Sequence, residues 1–223
     1  VKNMLCCLSG ALNYAVQPCR YIKGNPCIYV KTPRIAVKAE RKAHTEYICT
    51  KEDYAVILAR FPAGNIFHLP ILTGYHCGTR IGETYGIDLL QDIDFKTNTL
   101  HIRHQLAKEG KGWYYRPPKY NSVRDIRIDP VYADALKAEI HTRKLNQMKY
   151  GQYFTKSYVK PDGSIIQAPA DVSAPYLEIM PLSVRENGLL LTPESFKYCA
   201  RVVHNELNNP FVHIHCLRHT HGT

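Results

Sequence analysis

Between residues 99 and 128 the sequence alternates in a way that helices do not. Thr99-Leu100-His101-Ile102-Arg103, Trp113-Tyr114-Tyr115 and Arg124-Asp125-Ile126-Arg127-Ile128 are three short segments with the two-residue period of half-buried strands. Gly110-x-Gly112 and the stretch 117–122 divide them and supply turns, so a small antiparallel sheet is expected. On both sides the pattern changes to helical spacing. Thr50, with Asp53 three residues on, reads as a helix N-terminus leading into Tyr54, Ile57 and Leu58. Residues 66–86 are mostly apolar and predict two helices that meet near Gly74 and Gly78, with Arg80 in the first turn of the second. A helix is expected over about 130–149, with Leu136, Ile140 and Leu145 on one face. Residues 150–175 are polar, contain Pro161-Asp162-Gly163-Ser164 and read as an inserted loop or hairpin. Thr192-Pro193 opens a further helix to about 208, Thr as N-cap and Pro at the first helical position, and a last helix starts near His215. The fold class is therefore α+β: mostly α with a small antiparallel β-sheet.

The N-terminal part is organised differently. Leu5, Leu8, Leu12, Ala15 and Val16 fit one amphipathic helix that Pro18 should end. One isolated helix cannot bury its own face, so it reads as the last helix of another domain. Residues 30–45 hold no apolar period and carry Lys31, Arg34, Lys38, Arg41 and Lys42. They look like an extended linker, either merely solvated or following a phosphate backbone. The expected boundaries are 1–45 for that helix plus basic linker and 46–223 for the main domain.

Charge narrows the partners. The chain has 29 Lys and Arg against 19 Asp and Glu, a net +10 with histidines neutral. An excess of this size points to a polyanion, nucleic acid before an acidic protein or a membrane surface. No apolar run approaches the roughly 18 residues of a spanning helix, and the start lacks the order of a signal peptide. Eight cysteines show no Cys-x-x-Cys and no regular spacing, which suits reduced, mostly buried thiols in a cytoplasmic protein.

Two motifs carry the chemistry: Gly78-Thr79-Arg80-Ile81-Gly82-Glu83 and His215-Cys216-Leu217-Arg218-His219. An arginine keeps its charge at any physiological pH, and its planar fork matches phosphate oxygens. Glu83, one turn from Arg80, is placed to orient it, although such a pair alone is as often a surface ion pair. His215 and Arg218 are one helical turn apart and can face one point, and a histidine there can share a proton near neutrality. His215 and His219 also have the spacing of a zinc pair, but no third ligand is obvious beyond Cys216. In the turn between two expected strands lies Pro118-Lys119-Tyr120-Asn121-Ser122-Val123-Arg124. Read from the residues alone, its Lys119 is a solvent-facing hairpin lysine.

In this order the motifs resemble the tyrosine recombinase (phage integrase) family, over roughly residues 46–223, with 1–23 matching the end of its helical core-binding domain. The segment Arg185-Glu186-Asn187-Gly188 and the run 211–220 are similar to integrases of conjugative transposons and phages of Gram-positive bacteria. The resemblance implies a site-specific DNA recombinase that cleaves and rejoins strands through a 3′-phosphotyrosine, serving integration or excision of a mobile element without a cofactor or metal. It assigns Arg80 and Arg218 to the phosphate, His215 to hydrogen bonding or proton sharing, and Lys119 to the departing 5′ hydroxyl. Glu83 and His219 support these groups, while Lys38, Arg41, Lys42 and Arg124 are DNA-binding candidates. The implied partner is double-stranded DNA, bound as a homo-tetramer by a chain that is monomeric when free and cytoplasmic, nucleoid-associated on DNA. The family's nucleophilic tyrosine would lie beyond Thr223, because none of the 16 tyrosines follows Arg218. A catalytically dead DNA-binding integrase remnant is the alternative implied by that gap, and a zinc-binding regulator is a more distant one.

Overall fold

The computed structural model describes residues 2–30 and 47–222. The DNA-contact candidates Lys38, Arg41 and Lys42 lie outside the described residues. Two compact units are present, Val1–Lys42 and Ala43–Thr223. In the first, helix α1 (Lys2–Val16) stops before Pro18. Asn25 ties the following turn back to it, donating from Nδ2 to Asn13 Oδ1 (2.7 Å) and to Ser9 O (3.0 Å). Met4, Leu8 and Tyr14 remain exposed along α1, as a lone amphipathic helix requires.

The second unit begins with α2 (Lys51–Arg60), α3 (His68–Cys77) and α4 (Ile81–Gly86). Thr50 caps α2 as its sequence suggests. Its Oγ1 accepts from Asp53 N (3.1 Å), and its own N–H donates to Asp53 Oδ2 (3.2 Å), a reciprocal box. Thr50→Ala should cost about 1 kcal/mol. Chemical denaturation is the check, and an unchanged midpoint would show that the cap contributes nothing.

Helix α3 is apolar on all sides, the pattern of a helix surrounded by protein. Ile71 joins one core cluster with Ile57, Phe61, Tyr85, Phe196, Val203 and Leu217. Leu69 and Leu72 join a second with Leu100, Ile102, Tyr132, Leu136 and Leu182. The two cores are thus built on opposite sides of one buried helix. Its buried Thr73 hydroxyl is satisfied by Leu69 O and Tyr132 OH, both at 2.7 Å.

The strands form more than one sheet. Strands β1 (Ile93–Asp94), β2 (Thr99–Ile102), β3 (Gln105–Glu109), β4 (Gly112–Arg116) and β5 (Arg124–Arg127) follow α4. The first sheet has the order β1-β2-β5, while β3 and β4 form a separate two-stranded sheet. Trp113-Tyr114-Tyr115 therefore does not join its two companion segments in one sheet, contrary to expectation. The cause is local: Gly110 adopts φ 56° and closes a tight hairpin that pairs Lys108 with Trp113 and Leu106 with Tyr115. In β2, Leu100 and Ile102 are buried while Thr99 and His101 are half-buried, which is the alternation read from sequence.

Helix α5 (Pro130–Tyr150) matches the expected span, with Asp129 as its cap. Leu136 is buried and Ile140 half-buried, but Leu145 is exposed, because the helix outruns the core it covers. The polar insertion forms a third sheet from β6 (Thr155–Val159), β7 (Ile165–Pro169) and β8 (Leu177–Ile179), in the order β7-β6-β8. Thr192-Pro193 does not open an α-helix directly. A short 3-10 turn, Pro193–Ser195, intervenes before α6 (Phe196–Glu206), and the Thr192 side chain makes no cap bond. The last helix, α7 (Ile214–His221), packs against α3 and buries Cys216 and Leu217. No cysteine is in a disulfide; Cys49, Cys77, Cys199 and Cys216 are buried, whereas Cys6 and Cys7 are exposed. Among the described residues no helix is long and apolar enough to cross a membrane.

Candidate phosphate-binding site

The site is organised around one carboxylate. Helix α3 ends at Gly78, which takes φ 58° and turns the chain so that Arg80 precedes α4 as its cap rather than sitting in its first turn. Glu83, with no exposed side-chain surface, accepts from the Arg80 backbone N–H (2.9 Å, Oε2) and from Arg80 Nη1 (2.7 Å, Oε1). The same Oε2 accepts from Arg124 Nη2 at 2.8 Å and lies 4.0 Å from Arg218 Nη1. Three arginines from three elements, each about a third exposed, thus surround a fully buried carboxylate. Glu83 lies behind them, and the cluster keeps an excess of two positive charges.

Neighbouring groups fix the guanidinium positions. Arg80 Nη1 also donates to Ser122 Oγ (3.1 Å), and Arg124 Nη1 donates to Ser122 O (3.2 Å). Arg218 Nη1 donates to Gly78 O at 2.5 Å, joining the two motifs through a main-chain carbonyl. Burial, with the charges of Arg80 and Arg124, lowers the Arg218 pKa from the usual arginine value, and Glu83 opposes the shift. For Glu83, burial alone would raise the pKa, but hydrogen bonds from Arg124 and Arg80 outweigh it and hold the carboxyl below the ordinary glutamate range.

His215 is exposed on the first turn of α7, one turn before Arg218. Its pKa is lowered by partial desolvation of the ring, then by the charges of His213, His219, Arg218 and Lys119. The neutral imidazole is therefore favoured, a form that can accept a proton. Lys119 stands exposed in the 3-10 turn Lys119–Asn121, between β4 and β5. It is close enough for its charge to act on His215, but it is not part of the Glu83 cluster. His219 is at the surface, and α7 is anchored by its neighbour: Thr220 Oγ1 accepts from Cys49 N (2.8 Å) and donates to Cys216 O (2.8 Å).

Sequence reasoning missed two features of this geometry. Arg124 is a DNA-contact candidate from sequence, and the structure adds that two of its donors go to Glu83 and to the Ser122 carbonyl. Ser122 and the Gly78 carbonyl had no assigned role at all. A serine two residues before an arginine, and a glycine two before another, were the only signals.

Known proteins can be set beside this geometry. No protein-family model matches the sequence, and no curated protein matches it. Solved structures do. The Tn1549 transposon integrase in complex with transposon right end DNA superposes with a TM-score of 0.64 at 20% identity. Two of its structures with circular intermediate DNA give 0.62 at 19% and 0.61 at 20%. Each covers 99% of this chain. The chain shares the fold of these solved transposon integrase structures. The chain spans 64% of the length of those solved chains.

Proposed function

We propose that the chain is the DNA-binding and catalytic part of a site-specific integrase, acting on one phosphate of a DNA strand. The reading is carried by one observation: three guanidiniums held on a single buried carboxylate, next to a histidine whose surroundings favour its neutral form. Such a cluster is preorganised for the charge that grows on a phosphate in a five-coordinate transition state. In this reading Arg80 and Arg218 hold the non-bridging oxygens. A tyrosine hydroxyl carried by the whole protein attacks phosphorus. The new bond joins the tyrosyl oxygen to phosphorus, and the bond to the 5′ oxygen breaks. His215 accepts or shares the tyrosine proton, and Lys119 donates one to the departing 5′ oxygen. The reverse attack by a 5′ hydroxyl rejoins the strand, so no cofactor is consumed.

Residues 1–45 are then the end of a core-binding domain with its basic linker, and 46–223 belong to the catalytic domain. Assembly as a tetramer on two duplexes, and a cytoplasmic, nucleoid-associated location, follow from the same reading. The likeness to integrases solved with DNA and the +10 charge support it.

Binding of a fluorescent duplex, followed by anisotropy over a range of salt, tests the proposal. Log affinity should fall steeply and linearly with log salt, and Arg80→Ala or Arg218→Ala should each reduce the slope by about 1. Lys137→Ala, outside the cluster in an exposed ion pair with Asp134, should leave it unchanged. An affinity indifferent to salt would refute the proposal.

A further inference from the structure

A second polar centre lies away from the arginine cluster. Among the described residues, four buried side-chain polar atoms have no hydrogen-bond partner, and three of them, Asp92 Oδ1, His104 Nε2 and Tyr115 OH, belong to residues that line one cavity of about 320 Å³. His104 Nε2 is 3.1 Å from Asp92 Oδ2, near enough for attraction but out of line for a hydrogen bond. Groups left unpaired inside a protein are costly, and a cavity this size has room for an occupant that pairs with them.

The lining defines that occupant. Asp88 and Asp92 are each 2% exposed. Asp88 Oδ1 accepts from Leu90 N (3.0 Å) and Met180 N (2.9 Å), while Asp92 Oδ2 accepts from Asp88 N (2.9 Å) and leaves Oδ1 unused. Two buried carboxylates therefore face one imidazole, whose ring stacks on Tyr115 at 4.2 Å. Burial, opposed by the Met180 and Leu90 amides, raises the Asp88 pKa, and the charge of Asp92 adds to the rise. Val159, Leu177 and Ile179 form an apolar wall, and the exposed Gln91 and Arg103 stand at the mouth.

We infer that this cavity binds a small primary alkylammonium ion. Its three N–H donors match Asp92 Oδ1, the Asp88 carboxylate and the Tyr115 oxygen, and its methylene chain lies on the apolar wall. A hard metal ion fits less well: among the described residues no group of three or more His, Cys, Asp or Glu side chains is arranged to hold one. The Arg103 guanidinium at the mouth disfavours a second positive charge, so a monoamine suits the site better than a diamine. This site is independent of the integrase reading.

The test uses n-butylammonium chloride with the 223-residue chain, by thermal unfolding and calorimetric titration at constant ionic strength. At a hundredfold excess over Kd the Tm should rise by about 5 °C. Tetramethylammonium, which has no N–H, should not raise it. Asp92→Asn should weaken butylammonium binding at least tenfold; should that variant fail to fold, Tyr115→Phe, which keeps the stacking ring, should weaken it severalfold. No shift with butylammonium, an equal shift with tetramethylammonium or magnesium chloride, or undiminished binding in the folded variants would overturn the inference.

Discussion

Glu83→Ala is expected to lower the unfolding free energy by about 3 kcal/mol, the lower end of what breaking a buried ion pair costs. The lower end applies because Arg80 and Arg124 each keep 29% of their side-chain surface exposed, so water recovers part of what they lose. The variant leaves two guanidiniums without their shared acceptor and Arg218 without its nearest negative charge. The loss should therefore exceed that of a surface pair such as Lys137–Asp134, worth about 0–1 kcal/mol. Glu83→Gln keeps the shape but cannot hold two arginines with charge, and should fall between. The sign of the pH effect follows from the direction of the shift. The folded-state pKa of Glu83 is depressed, so its stabilisation is complete above the unfolded value of about 4.3 and is lost as pH falls through the lower folded value. Urea titrations from pH 6 down to pH 3 should show wild type losing its advantage over Glu83→Gln across the acid end of that window. Parallel curves over the whole range would mean that the carboxylate does not hold the cluster by charge.

Gly188→Ala is the second large effect, about 2–5 kcal/mol or a fall of about 10 °C in Tm. Gly188 closes the turn 185–188 with φ 84°, donating its N–H to Arg185 O (2.8 Å). A Cβ there would lie 2.1 Å from Thr155 O and 2.9 Å from the Phe154 ring. Thr155 N is itself bonded to Asn187 O (2.8 Å), so the turn cannot retreat without breaking its seam with β6. Gly110→Ala is the control: φ is 56° but no atom lies within 4 Å of its Cβ position, so only the backbone strain of about 1 kcal/mol applies. If both variants lost the same amount, contact with Thr155 would not be the reason for glycine at 188.

This glycine illustrates how the sequence was informative. Arg185-Glu186-Asn187-Gly188 stood out as a motif, but the motif has a packing reason that only the neighbouring strand supplies. The same division holds at the candidate site. Arg80 with Glu83, and His215 with Arg218, are each one helical turn apart, and spacing alone predicts that the members of each pair can face one another.

What the sequence determined by itself was local: the cap at Thr50, the two-residue alternation of 99–102, the helical span of about 130–149 and the two motif pairs. Each depends on bonds or periods reaching no more than a few residues. The tertiary structure decided what lies between them. Arg218 meets the Gly78 carbonyl, 140 positions away, because buried Leu217 and Cys216 pack α7 onto α3. Arg124 joins Glu83 because β5 pairs with β2 and returns the chain to α4, a register that pairs Ile102 with Arg124. The segment 112–116 left that sheet because a left-handed glycine gave it a nearer partner. Burial of Asp88 and Asp92 was equally illegible, since a carboxylate reads as solvent-facing until the third sheet covers it. Interactions between residues distant in sequence depend on which apolar faces find each other, and a linear pattern records the faces but not their partners.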